Sequence, residues 1–299
     1  MSYIFGGERQ MIKSCGIDYL SQCVEIAFER NMLPESNCAF CSKSRANIRE
    51  DFAFIMDDPD CLMVGCFMDD NLTGILACFI SPDNHWVDCA GPFFKNEWDL
   101  DHAKDMFLFA KTTLGKAVRF NFYFSAKNEN CHRLMETLLA ERQDNEYILV
   151  LDRTDYNPQQ IKHRVVKYVD DYENELVRLH DDTFQDVYVT GRDIVKSIDE
   201  TREVFCVLDE DGSFAGYGVL KYADDKGRLT AEIFAVKKEK RGKGYGWALL
   251  NTVVDSAFSK HNGNVVDLVV DKLNTNARDL YDSCGFKLAA ENEAFCIRV

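Results

Sequence analysis

A basic, glycine-rich run lies between an apolar strand-like segment and an amphipathic helix-like segment in the second half of the chain. It reads Arg241-Gly242-Lys243-Gly244-Tyr245-Gly246. Glycines at alternate positions let the backbone turn tightly and approach an anion, and the N–H groups at a helix start point toward negative charge with a favourable dipole. We therefore interpret the run as a cradle for a pyrophosphate group. Basic residues concentrate around it: Lys237, Lys238, Lys240, Arg241 and Lys243.

The residue patterns on both sides of this run predict a mixed, mainly antiparallel sheet with flanking helices. Short apolar runs indicate strands, and apolar residues at helical spacing indicate helices. An Asp-Gly pair at residues 211–212 predicts a hairpin turn. In order, the predicted elements of this half are strand 165–169, helix 173–184, a short helix near 191–198, strands 204–208, 215–222 and 229–236, a helix over 249–258, strand 265–270, helix 274–283, and strands 286–290 and 294–299.

The first half predicts a similar order of elements, so the chain reads as a diverged internal repeat. The best local match aligns residues 128–135 with residues 274–281, each behind an apolar strand. The polar segment 152–162 contains Pro158 and is the expected linker. We therefore predict two domains, residues 1–152 and 163–299, each with an α/β (α+β) fold.

Two spaced motifs give the second half a family resemblance. The first is Arg241 and the glycines after it, placed five residues beyond Val236 at the end of a strand. The second comprises Asn274, Ala277, Leu280-Tyr281 and Gly285-Phe286. With these motifs, residues 164–299 resemble the GNAT superfamily of N-acyltransferases, and the repeat then implies two GNAT-like domains.

The resemblance implies that the second domain binds an acyl-CoA, by default acetyl-CoA, and transfers the acyl group to a primary amine. It also implies that Tyr281 is the general acid, since a phenol can protonate the departing thiolate. Tyr281 follows Asn274 by two helical turns, so the two share one face of their helix. The residues assigned to the cofactor are Phe234, Ala235, Val236, Arg241, Gly242, Lys243, Gly244, Tyr245, Gly246 and Asn274.

Acyl transfer to an amine also needs a general base. An alkylammonium with a pKa of about 10.4 is neutral in only about one molecule in a thousand near pH 7.4. Glu232 lies two and four residues before Phe234 and Val236, so strand alternation places it on their face, toward the cofactor cleft, and it resembles the base of some GNAT enzymes. Two alternatives stay open: Glu232 is a structural carboxylate, or Thr230 orients a water.

The first repeat departs from the family pattern at both functional positions. Residues 94–101 contain no glycine and are acidic where a phosphate should bind, and Met135 stands in the place of the tyrosine. We therefore expect the first repeat to bind no cofactor. This arrangement resembles tandem GNAT proteins of the mycothiol synthase type.

Composition limits the remaining function classes. The net charge of −15 disfavours nucleic acid or an anionic membrane as a partner and favours a cationic, small-molecule amine. We expect a cytoplasmic protein with reduced cysteines. We also expect no metal site, because the pair Cys38 and Cys41 has no matching second pair. Acceptor contacts are expected from loops such as residues 184–192. A non-catalytic acyl-CoA sensor and a peptide or protein N-acetyltransferase remain alternatives, and the sequence leaves the oligomeric state open.

Overall fold

The computed structural model describes residues 2–5, 8–81, 85–184, 189–222 and 228–299. Its helices are α1 (Leu20–Asn31), α2 (Arg45–Asp57), α3 (Leu100–Thr113), α4 (Glu129–Thr137), α5 (Glu173–Thr183), α6 (Gly191–Lys196), α7 (Tyr245–Ser259) and α8 (Thr275–Ser283). Its strands are β1 (Ser2–Phe5), β2 (Glu8–Ser14), β3 (Leu62–Met68), β4 (Asn71–Ile80), β5 (Trp86–Phe94), β6 (Arg119–Ser125), β7 (Glu141–Asp152), β8 (Arg164–Lys167), β9 (Arg202–Leu208), β10 (Phe214–Tyr222), β11 (Arg228–Val236), β12 (Val265–Asp271) and β13 (Lys287–Arg298).

The chain divides into two compact units. The first unit comprises Met1–Asn145 and Glu291–Val299, and the second unit comprises Glu146–Ala290. In the first unit the strands lie in the order β1-β2-β3-β4-β5-β6, and the end of β13 pairs with β6. Every neighbouring pair in this unit is antiparallel except β5 with β6, which is parallel.

The second unit repeats this arrangement. Its strands lie in the order β8-β9-β10-β11-β12, and the end of β7 pairs with β12. The pairs are again antiparallel except β11 with β12, which is parallel. The predicted fold class, a mixed and mainly antiparallel sheet flanked by helices in each repeat, is confirmed.

Each unit includes the last strand of the other repeat. Residues 146–152, which follow the helices of the first repeat, pair with β12, and residues 292–298, which follow the helices of the second repeat, pair with β6. The compact units therefore differ from the division into 1–152 and 163–299. A repeat in the sequence shows which segments are alike, but pairing partners are decided by contacts far apart along the chain.

Two hydrophobic clusters lie on opposite faces of the sheet in the second unit. One cluster joins α7 and α8 to the sheet, and it contains Leu249, Val253 and Phe258 of α7 together with Leu149 and Leu151 of β7. The other joins α5 and α6 to the opposite face. Phe234 and Val236 of β11 pack against the α7 cluster, whereas Ile233 and Ala235 belong to the α5–α6 side.

The strand exchange predicts how fragments behave. A fragment of residues 146–290 should unfold cooperatively, because it contains every strand of its sheet. A fragment of residues 163–299 should be less stable, since it lacks the buried Leu149 and Leu151, and loss of each buried leucine side chain costs about 2–5 kcal/mol. Thermal unfolding followed by circular dichroism compares them. A higher melting temperature for 163–299 would contradict the observed pairing.

Candidate active site

A gap opens between β11 and β12 in the second unit. The two strands pair in parallel over only three positions, where residues 228–230 lie opposite residues 265–267. Beyond Thr230, no described segment of this unit continues the ladder on that side of β11. Because backbone N–H and C=O groups in such a gap lack ladder partners, an extended ligand can bind along it by strand-like hydrogen bonds.

The glycine-rich loop lies at the end of β11 and leads into α7. Gly242 and Gly244 have φ angles of +74° and +88°, the left-handed region that favours glycine. Gly244 is the N-cap of α7, and no side chain caps the helix. Within the described part of the chain, the N–H groups of Gly244, Tyr245 and Gly246 have no acceptor. A helix N-terminus left open in this way is suited to bind an anion.

The loop is fastened to the β9–β10 hairpin by Asp209. One carboxylate oxygen of Asp209 accepts a hydrogen bond from the Tyr245 hydroxyl at 2.5 Å, and the other oxygen pairs with the Lys240 ammonium. These contacts hold the pKa of Asp209 well below its usual range, with Lys240 the larger cause. The same hydrogen bond raises the pKa of Tyr245. Lys240, one of the basic residues that concentrate around the loop, therefore forms an ion pair within the protein.

Arg241 and Lys243 reach backbone carbonyls near their own loop. Arg241 Nε donates to the carbonyl of Val236 at 3.0 Å, and Lys243 Nζ donates to that of Glu239 at 3.2 Å. Both side chains remain exposed. A groove of about 720 Å³ lies between α5 and residues 237–241, a size typical of ligand sites. Its walls carry both signs of charge: Glu175, Arg178, Asp182, Lys237, Lys238, Glu239 and Arg241.

Helix α8 packs beside the start of α7. Leu280 lies against Gly246, where a Cβ atom would be 3.6 Å from Leu280 Cδ2. Tyr281 packs on the α7 side of the sheet, in the same cluster as Phe234 and Val236. Its hydroxyl makes no hydrogen bond with any described residue. Burial raises the pKa of Tyr281 to about 12, so the phenol is protonated at neutral pH.

Asn274, which the sequence motif assigns to cofactor binding, caps a helix in the structure. It is the N-cap of α8, and its side-chain oxygen accepts a hydrogen bond from the N–H of Ala277 at 3.2 Å. The side chain is exposed. Since the oxygen is used by the helix, the amide group is the part of Asn274 that is available to a ligand.

A β-bulge changes the face on which Glu232 lies. Val219 pairs with Ile233 and Leu220 pairs with Ala231, so Glu232 is the extra residue of β11. Its side chain contacts Arg202. Val204 and Cys206, which alternate with Arg202 along β9, belong to the α5–α6 cluster, so Glu232 lies on that face of the sheet. The prediction that Glu232 shares a face with Phe234 and Val236 is therefore wrong. Strand alternation fails because one extra residue reverses the faces beyond it.

Glu232 forms a nearly buried ion pair. Arg202 donates two hydrogen bonds to it, from Nε to Oε2 at 2.6 Å and from Nη2 to Oε1 at 2.9 Å, and Lys221 Nζ lies 3.3 Å from Oε1. A carboxylate held by a bidentate arginine is a strong structural contact. The arrangement favours the structural alternative for Glu232, and its role as a general base stays a prediction.

The corresponding helix start in the first unit is capped by an acidic side chain. Asp99 is the N-cap of α3, and its carboxylate accepts a hydrogen bond from the N–H of His102 at 2.9 Å. An anionic side chain therefore caps this helix start, whereas no side chain caps the start of α7. Trp98 packs on Phe94 in the same segment, and Met135 is buried in the core of this unit.

The gap between β5 and β6 of the first unit is filled by the chain itself. Residues 37–39 run beside β6, where Ala39 N–H donates to Tyr123 C=O at 2.7 Å and Ser125 N–H donates to Asn37 C=O at 3.2 Å. The Cys38 thiol lies 3.5 Å from the carbonyl of Cys89 on β5. We call residues 37–39 the plug segment. The plug segment and the Asp99 cap both agree with the expectation that this unit binds no cofactor.

Several other sequence predictions concern parts of the chain that the structure covers only partly. Within the loop 184–192, residues 185–188 lie outside the described residues, so the predicted acceptor contacts there stay a prediction. Among the described residues, no group of three or more metal-ligating side chains occurs, and Cys38 and Cys41 are buried free thiols. None of the described helices is both long enough and apolar enough to span a membrane.

Comparisons with known proteins agree with this geometry. Residues 170–286 match the model of the acetyltransferase (GNAT) family. A search of curated proteins gives no match. A GCN5-related N-acetyltransferase from Sphaerobacter thermophilus superposes with a TM-score of 0.77 at 13% identity, covering 97% of this chain and 95% of its own.

Two further solved structures have the same fold over most of this chain. A tandem GNAT protein from the clavulanic acid biosynthesis pathway has a TM-score of 0.70 at 11% identity and covers 97% of this chain and 98% of its own. A glucosamine N-acetyltransferase region of a fungal multi-domain β-N-acetylglucosaminidase has a TM-score of 0.69 at 12% identity. The match covers 96% of this chain and 38% of the fungal chain. Residues 170–286, which lie within the second unit, thus match a GNAT acetyltransferase domain, and the chain shares the fold of a tandem GNAT protein.

The open helix start predicts the effect of a charge placed in it. Gly244→Glu puts a carboxylate at the α7 N-terminus, so acetyl-CoA should no longer stabilise the protein. A ligand at 100 times its dissociation constant adds about 2.7 kcal/mol to the wild type. Thermal unfolding with and without acetyl-CoA measures this difference.

Gly212→Glu is the matched control for this experiment. Gly212 has a φ of +83° and open space around it, so the control carries the same backbone strain outside the loop. It should keep the full response to acetyl-CoA. An undiminished response in Gly244→Glu would show that the anion binds elsewhere.

Proposed function

We propose that the second unit transfers an acetyl group from acetyl-CoA to a primary amine of a small molecule. The observation that carries the proposal is the open N-terminus of α7, whose unused N–H groups lie beside the gap between β11 and β12. The loop would bind the pyrophosphate of the cofactor, with Arg241 and Lys243 adding positive charge. The pantetheine arm would then run along β11 past Phe234, Ala235 and Val236.

In the proposed reaction the amine nitrogen attacks the thioester carbonyl, a C–N bond forms and the C–S bond breaks. The ammonium must lose one proton before the attack and a second as the amide forms, while the departing thiolate must be stabilised and takes up one proton, so that one proton is released to solvent. The α7 face of the sheet is closed by packed side chains, whereas Thr230 and Glu232 lie on the other face beside the gap. We infer that the amine approaches from that face.

Thr230 and Glu232 offer different routes for the proton. The hydroxyl of Thr230 donates to Asp267 Oδ1 at 2.6 Å, so its oxygen is left to accept a hydrogen bond from a water. Such a water keeps a lone pair to accept the ammonium proton and would pass the proton on to bulk solvent. Glu232 would place negative charge near the ammonium, although both of its oxygens receive hydrogen bonds from Arg202.

Tyr281 fits the role of hydrogen-bond donor to the thiolate. With a pKa of about 12 for Tyr281, full proton transfer to a thiolate of pKa about 8.5 would be uphill by about 5 kcal/mol. A hydrogen bond to the charged sulfur requires no such transfer, and hydrogen bonds to charged groups contribute about 1.5–3 kcal/mol. The proton would then reach the sulfur from solvent.

Steady thiol release tests the proposed reaction against its alternatives. Acetyl-CoA would be incubated with small primary amines, including an amino sugar because one neighbour of the same fold bears the name of a glucosamine N-acetyltransferase. We expect amine-dependent release with at least one small amine. Acetyl-CoA binding without release would favour the non-catalytic sensor, and release only with peptides would favour the peptide or protein N-acetyltransferase. Cytoplasmic location and a small-molecule partner remain part of this proposal.

The Tyr281→Phe variant tests the proposed hydrogen bond from Tyr281 to the thiolate. It removes one hydroxyl and keeps the ring packed against Phe286, so acetyl-CoA affinity should hardly change. Turnover should fall at least tenfold, as expected for loss of a hydrogen bond to a developing charge. Turnover above half the wild-type value, with intact binding, would make Tyr281 a packing residue.

A further inference from the structure

His163 lies over the glycine-rich loop, although neither sequence motif includes it. Its ring packs on the Tyr245 ring with centroids 4.2 Å apart and planes inclined by 31°. Its Nε2 lies 2.9 Å from the carbonyl oxygen of Lys243. The residue directly precedes β8, which pairs with β9, so the sheet fixes its position next to the hairpin that also carries Asp209.

The contact with Lys243 fixes the orientation of one peptide group. A carbonyl oxygen only accepts, so Nε2 of His163 carries the proton and donates. In a planar trans peptide the C=O and the following N–H point in opposite directions. Holding the Lys243 carbonyl toward His163 therefore turns the N–H of Gly244 away from it, to the side where it meets no acceptor in the described chain.

The loop needs such an external constraint because its own residues supply little. Gly242 and Gly244 both have left-handed φ angles and are free to adopt others, and no side chain caps α7. A Cβ atom at Gly244 would lie 3.2 Å from His163 Nε2, which shows how closely the ring covers the turn. An anion site of high affinity requires donors that are already oriented before the ligand arrives.

We propose that His163 is a positioning residue for the phosphate site: it orients the Lys243–Gly244 peptide so that the Gly244 N–H is directed at the pyrophosphate of an acyl-CoA. The proposal rests on the proposed function, since it assumes an acyl-CoA at this loop. His163 itself stays on the far side of the peptide from the ligand and is not a catalytic residue.

Three variants separate the hydrogen bond from the ring packing. His163→Ala removes both, His163→Phe keeps the packing on Tyr245, and His163→Gln restores an N–H donor without the ring. Calorimetry should show acetyl-CoA binding about three- to tenfold weaker in the Ala and Phe variants, the loss expected for one hydrogen bond. The Gln variant should recover part of the affinity. His102→Ala on α3 of the first unit is the control and should bind as the wild type does.

A donor without phosphates distinguishes positioning from general stability. With S-acetyl-pantetheine, which has no pyrophosphate, the kcat/KM of the Phe variant should equal that of the wild type, whereas with acetyl-CoA its KM should rise and its kcat should stay unchanged. Equal acetyl-CoA affinity in wild type and the Phe variant, or an equal loss with both donors, would overturn the proposal. A wild type that binds no acetyl-CoA would instead refute the proposed function.

Discussion

The unsatisfied N-terminus of α7 is the constraint on which the rest of the second unit depends. Three consecutive N–H groups there have no acceptor among the described residues, and buried or aligned donors of this kind are costly unless a ligand or water satisfies them. The surrounding contacts maintain this state. Asp209 fastens Tyr245 and Lys240, and His163 holds the Lys243 carbonyl. These contacts thus orient the N–H donors at the start of α7 before any anion binds.

The two units show how a few local contacts cap a helix start and fill a gap in one repeat and leave both open in the other. Both have a parallel pair of strands that separates after a short ladder, followed by a helix that starts near the gap. In the first unit, Asp99 caps that helix and the plug segment fills the gap. In the second unit, glycine occupies the cap position. The residue at the helix cap and the segment in the gap can both change without a different fold. Each changes only the group that lies against the backbone of the helix start or of the separated strands.

The sequence predicted the elements and the loop because both depend on local patterns. Apolar spacing around residues 249–258 and the glycines at 242 and 244 act within one or two turns of the backbone, so the printed residues suffice. The bulge at Glu232 depends on how β11 aligns with β10, and the exchange of β7 and β13 depends on pairings more than a hundred residues apart. His163 was missed for the same reason, since it meets Lys243 across 80 residues.

The central claim is that the N–H groups at the start of α7 bind the cofactor and that those at the start of α3 do not. Hydrogen exchange measured by mass spectrometry, with and without acetyl-CoA, observes these amides directly. We expect acetyl-CoA to slow exchange strongly in peptides covering residues 241–247 and to leave peptides covering residues 95–102 unchanged. Unchanged exchange at residues 241–247, or equal protection at both helix starts, would contradict this account of the site.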